Sequence, residues 1–205
     1  EEVCTTINNK VFCFAALMDT TKGTIYSDLT GRFPLQSYAG MQYIFIAYVY
    51  DQNYIIIQPM KNRSDASMIK VFKDVYKMLQ QKGTNPSLHV LDNECSKAIK
   101  TFVAEQKATI QLVEPHNHCI NATEVAVKTT KYHFIASLTT VAPECPLQLW
   151  CLFLPKVETS LNLLRIFRSN PTILAYEYLH SAFDYNKTPM APIGTLAVVY
   201  EDPDT

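Results

Sequence analysis

Three acidic residues stand at positions where a protein can hold a divalent metal ion. Asp28 follows the strand-like segment 24–27, and Asp92 follows a second such segment at 87–91. Glu124 opens a segment with helical periodicity. Carboxylate oxygens are preferred ligands of Mg²⁺ and Mn²⁺, and such ions held by a few carboxylates support phosphodiester chemistry. Each acid alone has an ordinary explanation as a turn or helix-terminus residue, so the interpretation depends on all three.

Two lysines extend the pattern around Glu124. Lys128 and Lys131 follow it by four and seven residues, so the three side chains fall on one helical face. The neighbouring, apolar side of this helix is predicted to comprise Val125, Thr129, Tyr132 and Ala136. Lysines beside a metal-binding carboxylate suit contacts with a phosphate backbone. The alternative is a solvent-exposed face with one weak Glu–Lys pair.

The hydrophobic pattern predicts the elements that position these residues. Strands are predicted at 24–28, 42–50, 54–58, 87–91, 110–113 and 196–200. Helices are predicted from Ser64 or Asp65 to Lys82, around Ile99, Phe102 and Val103, and at 121–138, 147–164 and 173–180, with a kink or break at Pro155. A hairpin followed by strand–helix alternation indicates an α/β fold. It predicts a mixed sheet of about five strands with helices on both faces.

Composition narrows the function further. The chain has 205 residues, 48% of them hydrophobic, and a formal net charge of −1, so a nucleic-acid partner would need local basic clusters. The longest apolar run is too short for a membrane helix, and no membrane partner is expected. The six cysteines are irregularly spaced without Cys-x-x-Cys, which favours reduced intracellular thiols over a zinc site or a disulfide framework. Phosphate-loop, nucleophile-elbow and zinc-protease motifs are absent.

Four segments in a fixed order complete the pattern: YSDLTGRFP at 26–34, LDNE at 91–94, PHNHCINATE at 115–124 and FDYNKTPMAP at 183–192. Together they resemble the catalytic core of integrases from long-terminal-repeat retrotransposons, within the retroviral integrase superfamily. The resemblance covers roughly residues 23–205. It implies an RNase H-like fold and a metal-dependent polynucleotidyl transferase, with Asp28, Asp92 and Glu124 as catalytic and metal-binding acids.

The resemblance also implies cofactors and partners. Two Mg²⁺ or Mn²⁺ ions per site are expected, one held by Asp28 and Asp92 and the other by Asp28 and Glu124. The expected DNA contacts are Lys128, Lys131, Asn121, His116 and His118, with Asn121 also capping the helix. The partners would be the DNA ends of the element, target DNA and a second copy of the chain, with no small-molecule substrate. Action inside the cell, in the nucleus of a eukaryotic host, follows from the same resemblance.

The same likeness divides the chain and leaves alternatives open. Residues 1–22 form an N-terminal extension, 23–180 the catalytic core, and 181–205 a C-terminal extension towards a further domain. Cys119, Ile120 and Val125 stand where close relatives tend to carry arginines, and fewer basic residues weaken DNA binding. One alternative is therefore a catalytically silent DNA-binding or assembly module, a decayed integrase core. Another is an RNase H-like nuclease that only hydrolyses.

Overall fold

The computed structural model describes residues 23–91, 95–113 and 122–195, without the side chains of residues 122 and 123. Its strands are β1 (Thr24–Leu29), β2 (Tyr43–Val49), β3 (Tyr54–Met60), β4 (Leu88–Leu91) and β5 (Thr109–Leu112). Its helices are α1 (Asp65–Gln81), α2 (Lys97–Glu105), α3 (Ala122–Leu138), α4 (Trp150–Leu163) and α5 (Ala175–His180). A short 3₁₀ turn, Leu147–Leu149, leads into α4. None of the helices in the described ranges is long and apolar enough to cross a lipid bilayer.

The five strands form one mixed sheet in the order β3-β2-β1-β4-β5. β1, β2 and β3 pair antiparallel, whereas β4 and β5 run parallel to β1. Ser27 in β1 is paired with Leu91 in β4, so these two strands end at the same edge of the sheet. The mixed α/β sheet of five strands predicted from the sequence is confirmed.

Helices cover both faces of the sheet, as predicted, and each face has its own apolar core. On the first face, α1, α2 and α5 cover the sheet, and the core between them includes Phe45, Ile56, Phe72, Leu79 and Val103. On the second face, α3 and α4 cover the sheet, and the core between them includes Ile46, Ile55, Phe134, Trp150 and Leu154. The strands are nearly continuous in apolar residues because both faces are buried.

Helix α4 corrects one prediction. It continues from Trp150 to Leu163 through Pro155, so the predicted break at that proline is wrong. Proline removes one helical hydrogen bond, but Cys151, Leu154 and Val157 are buried on both sides of it. Their packing holds the backbone helical across that position. The strand predicted at 196–200 lies outside the described residues.

The same helix protects the edge of the sheet at β3. Ile55 donates its backbone N–H to Asn162 Oδ1 at 2.8 Å, and Ile57 donates to Glu158 Oε2 at 2.8 Å. Pro59, the next residue in this alternation, has no N–H to donate. The outward-facing donors of this edge strand are therefore either bonded to α4 or absent.

Candidate active site

Asp28 lies near the carboxyl end of β1, where it lines an open cavity of about 700 Å³. The cavity sits at the ends of β1 and β4, and Leu91, the last residue of β4, also lines it. The backbone N–H of Leu29 donates to Asp28 Oδ1 at 2.7 Å, which orients the carboxylate. The predicted position of Asp28 near the end of a strand is confirmed, and its predicted catalytic and metal-binding role stays a prediction.

A buried polar network begins at Ser27, the residue before Asp28 in β1. Ser27 Oγ is 2.8 Å from His89 Nε2, and Tyr76 OH is 3.1 Å from His89 Nδ1. His89 is only 1% exposed, and this burial lowers the pKa of its imidazole to about 3. The ring is therefore neutral and joins β1, β4 and α1 behind the cavity. We call these three residues the His89 network.

Two further charged residues share the cavity with Asp28. Arg63 precedes α1 and donates from Nη2 to the carbonyl oxygen of Thr30 at 3.2 Å. Its guanidinium carbon lies 5.2 Å from the centre of the Tyr43 ring. Asp65 occupies the first turn of α1. The sequence suggested Asp65 only as a helix start and gave no indication that Arg63, Asp65 and His89 lie near Asp28, because local pattern does not show which distant strand a residue approaches.

Cys95 lines the opposite wall of the cavity, at the start of the segment that leads into α2. Burial raises the pKa of its thiol, Asp65 raises it further, and Lys100 acts in the opposite direction. The thiol is therefore a weak nucleophile. Among the described residues, Cys95, Cys145 and Cys151 form no disulfide.

Glu124 takes a different position from Asp28. It lies in the first turn of α3 with an exposed side chain, and α3 packs against β1 and β2 on the second face. Lys128 and Lys131 are also exposed on α3, and their predicted DNA contacts stay predictions. Among the described residues that line the cavity, Asp28 is present and Glu124 is not.

Helix α3 also corrects a prediction about its apolar side. Its buried residues are Ala126, Thr130 and Phe134, whereas Val125 and Tyr132 are more than half exposed. The predicted apolar side of Val125, Thr129, Tyr132 and Ala136 is therefore wrong. Apolar residues occur around the whole helix, so hydrophobic spacing could not single out the side that packs.

The remaining predicted site residues are Asp92, Asn121, His116 and His118. All four lie outside the described residues, and their assigned roles stay predictions.

The donors in the cavity suit a hard divalent cation. Asp28 and Asp65 both line the cavity, and carboxylate oxygens are the ligands that Mg²⁺ and Mn²⁺ prefer. The pairing of Asp28 with Ile46 places the Asp28 side chain on the second face of the sheet, the face that α3 covers. Within residues 23–91, 95–113 and 122–195, no group of three or more His, Cys, Asp or Glu side chains is arranged to hold a metal ion.

Comparisons with known proteins agree on the fold. No family model matches the chain, and no curated protein matches it. A chain in the cryo-EM structure of the simian T-cell lymphotropic virus intasome, in complex with PP2A regulatory subunit B56 gamma, matches with a TM-score of 0.58 and 12% identity. The match covers 87% of this chain and 59% of that one, so this chain spans less than two thirds of that protein.

A second match covers a catalytic core almost completely. The HTLV-2 integrase catalytic core domain, in complex with magnesium, matches in both a dimeric and a trimeric form with a TM-score of 0.54 and 15% identity. The alignment spans 77% of this chain and 95% of that core. This chain has the RNase H-like fold of an integrase catalytic core. The predicted fold class is thereby confirmed.

Proposed function

We propose that this chain is an integrase-like catalytic core that acts as a polynucleotidyl transferase on the DNA of a retrotransposon. The observation that carries the proposal is the position of Asp28. It lies at the end of β1, beside an open cavity, in a fold shared with integrase catalytic cores. The order of the sequence motifs supports the retrotransposon source.

In this proposal Asp28, Asp92 and Glu124 hold Mg²⁺ or Mn²⁺. When bound, such ions activate an attacking oxygen and neutralise charge on the phosphate. The N–H of Leu29 orients the Asp28 carboxylate, and the His89 network fixes β1 against β4 beneath it. The attacking group is water during 3′-end trimming and a DNA 3′-hydroxyl during joining.

Helix α3 supplies the main contacts to the DNA backbone. Lys128 and Lys131 are exposed cations on the helix that carries Glu124, so they attract phosphates to its surface. Asn121, His116 and His118 are proposed to make further DNA contacts next to this helix. Residues 23–180 form the catalytic core, flanked by extensions at 1–22 and 181–205.

The proposed partners are the DNA ends of the element, target DNA and a second copy of the chain. Association of two copies is supported by the dimeric form of the HTLV-2 core. The proposed place of action is the nucleus of a eukaryotic host, where target DNA lies.

A strand-transfer assay on a branched DNA substrate in Mn²⁺ tests this function. Wild type is compared with Glu124→Gln and with Glu144→Gln, the same substitution at an exposed acid beyond α3. We expect rejoined DNA from wild type and Glu144→Gln, and at least about a hundredfold less from Glu124→Gln. Equal activity of Glu124→Gln would remove Glu124 from the site.

Two further outcomes separate the alternatives. Cleaved products without joined ones would indicate a nuclease that only hydrolyses. No product from wild type, with folding verified by circular dichroism, would favour the catalytically silent module. Among the described residues, Glu124 does not line the cavity, and this observation supports the catalytically silent module as the second candidate.

A further inference from the structure

Arg63 is the cationic residue nearest in sequence to Asp65, one of the two acidic residues that line the cavity. It lies two residues before Asp65, and both residues line the same space as Asp28. Its side chain is exposed to the solvent of that space. Arg63 contacts Tyr43, which packs with the first core, whereas Lys128 and Lys131 lie on a helix of the second face.

The guanidinium group of Arg63 is held in place, and most of its N–H donors form no hydrogen bond with the described residues. One hydrogen bond, to the carbonyl of Thr30, and the contact with the Tyr43 ring fix its position. A guanidinium carries five N–H donors, and this bond uses one. Within the described residues Arg63 makes no ion pair with a carboxylate. Its charge and remaining donors are therefore available to an anion in the cavity.

We propose that Arg63 binds a phosphodiester group of the DNA strand that enters the cavity beside Asp28. This inference rests on the proposed function, since it assigns a contact to the same substrate. A planar guanidinium takes phosphate oxygens in a two-bond geometry that a lysine cannot reproduce. Contact with Tyr43 aligns that plane before DNA arrives, so little side-chain freedom is lost on binding.

The charges of the residues that line the cavity favour such a contact. Asp28 and Asp65 repel a phosphate backbone. Arg63 lies in the same cavity and offsets this repulsion at one position along the strand. The contact thus helps to set which phosphate lies next to Asp28, and its loss weakens DNA binding and misplaces the substrate.

Binding of a short fluorescein-labelled DNA duplex, followed by anisotropy over a series of salt concentrations in Ca²⁺, tests the inference. Arg63→Gln is compared with Lys77→Gln, which removes the same charge from the exposed surface of α1, about 18 Å along the axis from Asp65. We expect Arg63→Gln to weaken binding about tenfold and to lower the salt slope by about one. Lys77→Gln should change the Kd less than about twofold.

Arg63→Lys keeps the positive charge, so it distinguishes a lost DNA contact from a folding defect. It should recover part of the lost affinity and the full salt slope, while circular dichroism verifies all three variants. Equal Kd values and slopes for Arg63→Gln and Lys77→Gln would overturn the inference. This binding measurement does not depend on catalytic turnover. If binding depends on Arg63 but no strand transfer occurs, the proposed reaction is wrong and the contact of Arg63 with DNA is still supported.

Discussion

Helices α1 and α3 have the same length, but they use their side chains differently. Each has 17 residues. α1 buries a continuous stripe of large residues: Val71, Phe72, Val75, Tyr76 and Leu79. α3 buries Ala126, Thr130 and Phe134, and leaves Val125, Tyr132 and Ile135 largely exposed. α1 therefore buries more large side chains than the described residues of α3 do.

The difference shows what each helix contributes. α1 stabilises the first face, so its sequence follows the helical repeat closely and predicts the helix well. α3 packs against β1 and β2 through Ala126, Thr130 and Phe134 and leaves Glu124, Lys128 and Lys131 exposed. A helix with apolar residues on all sides gives a weaker sequence signal for the side that packs.

The largest expected effect contrasts one apolar truncation on each helix. Leu79→Ala should lower the free energy of unfolding by about 2–5 kcal/mol, because Leu79 is fully buried in the first core. Ile135→Ala, at a site 57% exposed, should change it by less than about 0.5 kcal/mol. Urea denaturation measures both. Similar losses would show that the outer side of α3 is covered in solution.

The prediction of intermediate size compares the pH dependence of stability that comes from two buried groups, Glu158 on the second face and His89 on the first. Burial between α4 and β3 raises the pKa of Glu158 from 4.5 to about 7. The folded state therefore holds this proton more tightly, and the free energy of unfolding falls as the pH rises from about 5 to about 7.5. Glu158→Gln imitates the protonated acid, so this fall, of about 1–3 kcal/mol, should disappear.

The matched control for that experiment is Glu105→Gln, at the exposed end of α2. It should keep the wild-type pH dependence. His89 on the first face acts in the opposite sense. Because its folded pKa is about 3, its contribution to stability is present above pH 6.5 and is lost as the pH falls from there towards 3. A Glu158→Gln profile parallel to wild type would show that its carboxyl group is not buried in solution.

The smallest effect concerns the starts of the two helices. Ser64 Oγ accepts from the N–H of Ser67 at 3.3 Å and caps α1, so Ser64→Ala should cost about 1 kcal/mol in thermal or urea unfolding. Asn121 is the predicted cap of α3, and Asn121→Ala should cost a similar amount. If only Ser64→Ala destabilises the protein, Asn121 does not cap, and its proposed role is DNA contact alone.

Local signals predicted the fold well. The cap at Ser64, the hairpin after Val49 and the strand ending near Asp28 depend on neighbours in the sequence, and all three were found. The break at Pro155 was wrong because packing of residues on both sides of the proline outweighs one lost hydrogen bond.

The site was harder to predict because its parts meet only in space. Ser27 and His89 are 62 positions apart, and their contact depends on the parallel register of β1 and β4. Arg63 reaches the cavity because α1 begins beside it. The only sequence signal for His89 was a single polar residue within the apolar strand 88–91.

The covered edge of β3 has a consequence for how the protein behaves in a crowded cell. An unprotected edge strand can recruit a strand from another molecule and start aggregation. Here Asn162 and Glu158 bond to the backbone of Ile55 and Ile57, and Pro59 offers no donor. An incoming strand would have to displace α4 from the second core. The sheet is therefore closed to growth at this edge, and copies of the protein must associate through side-chain surfaces if they meet on this side.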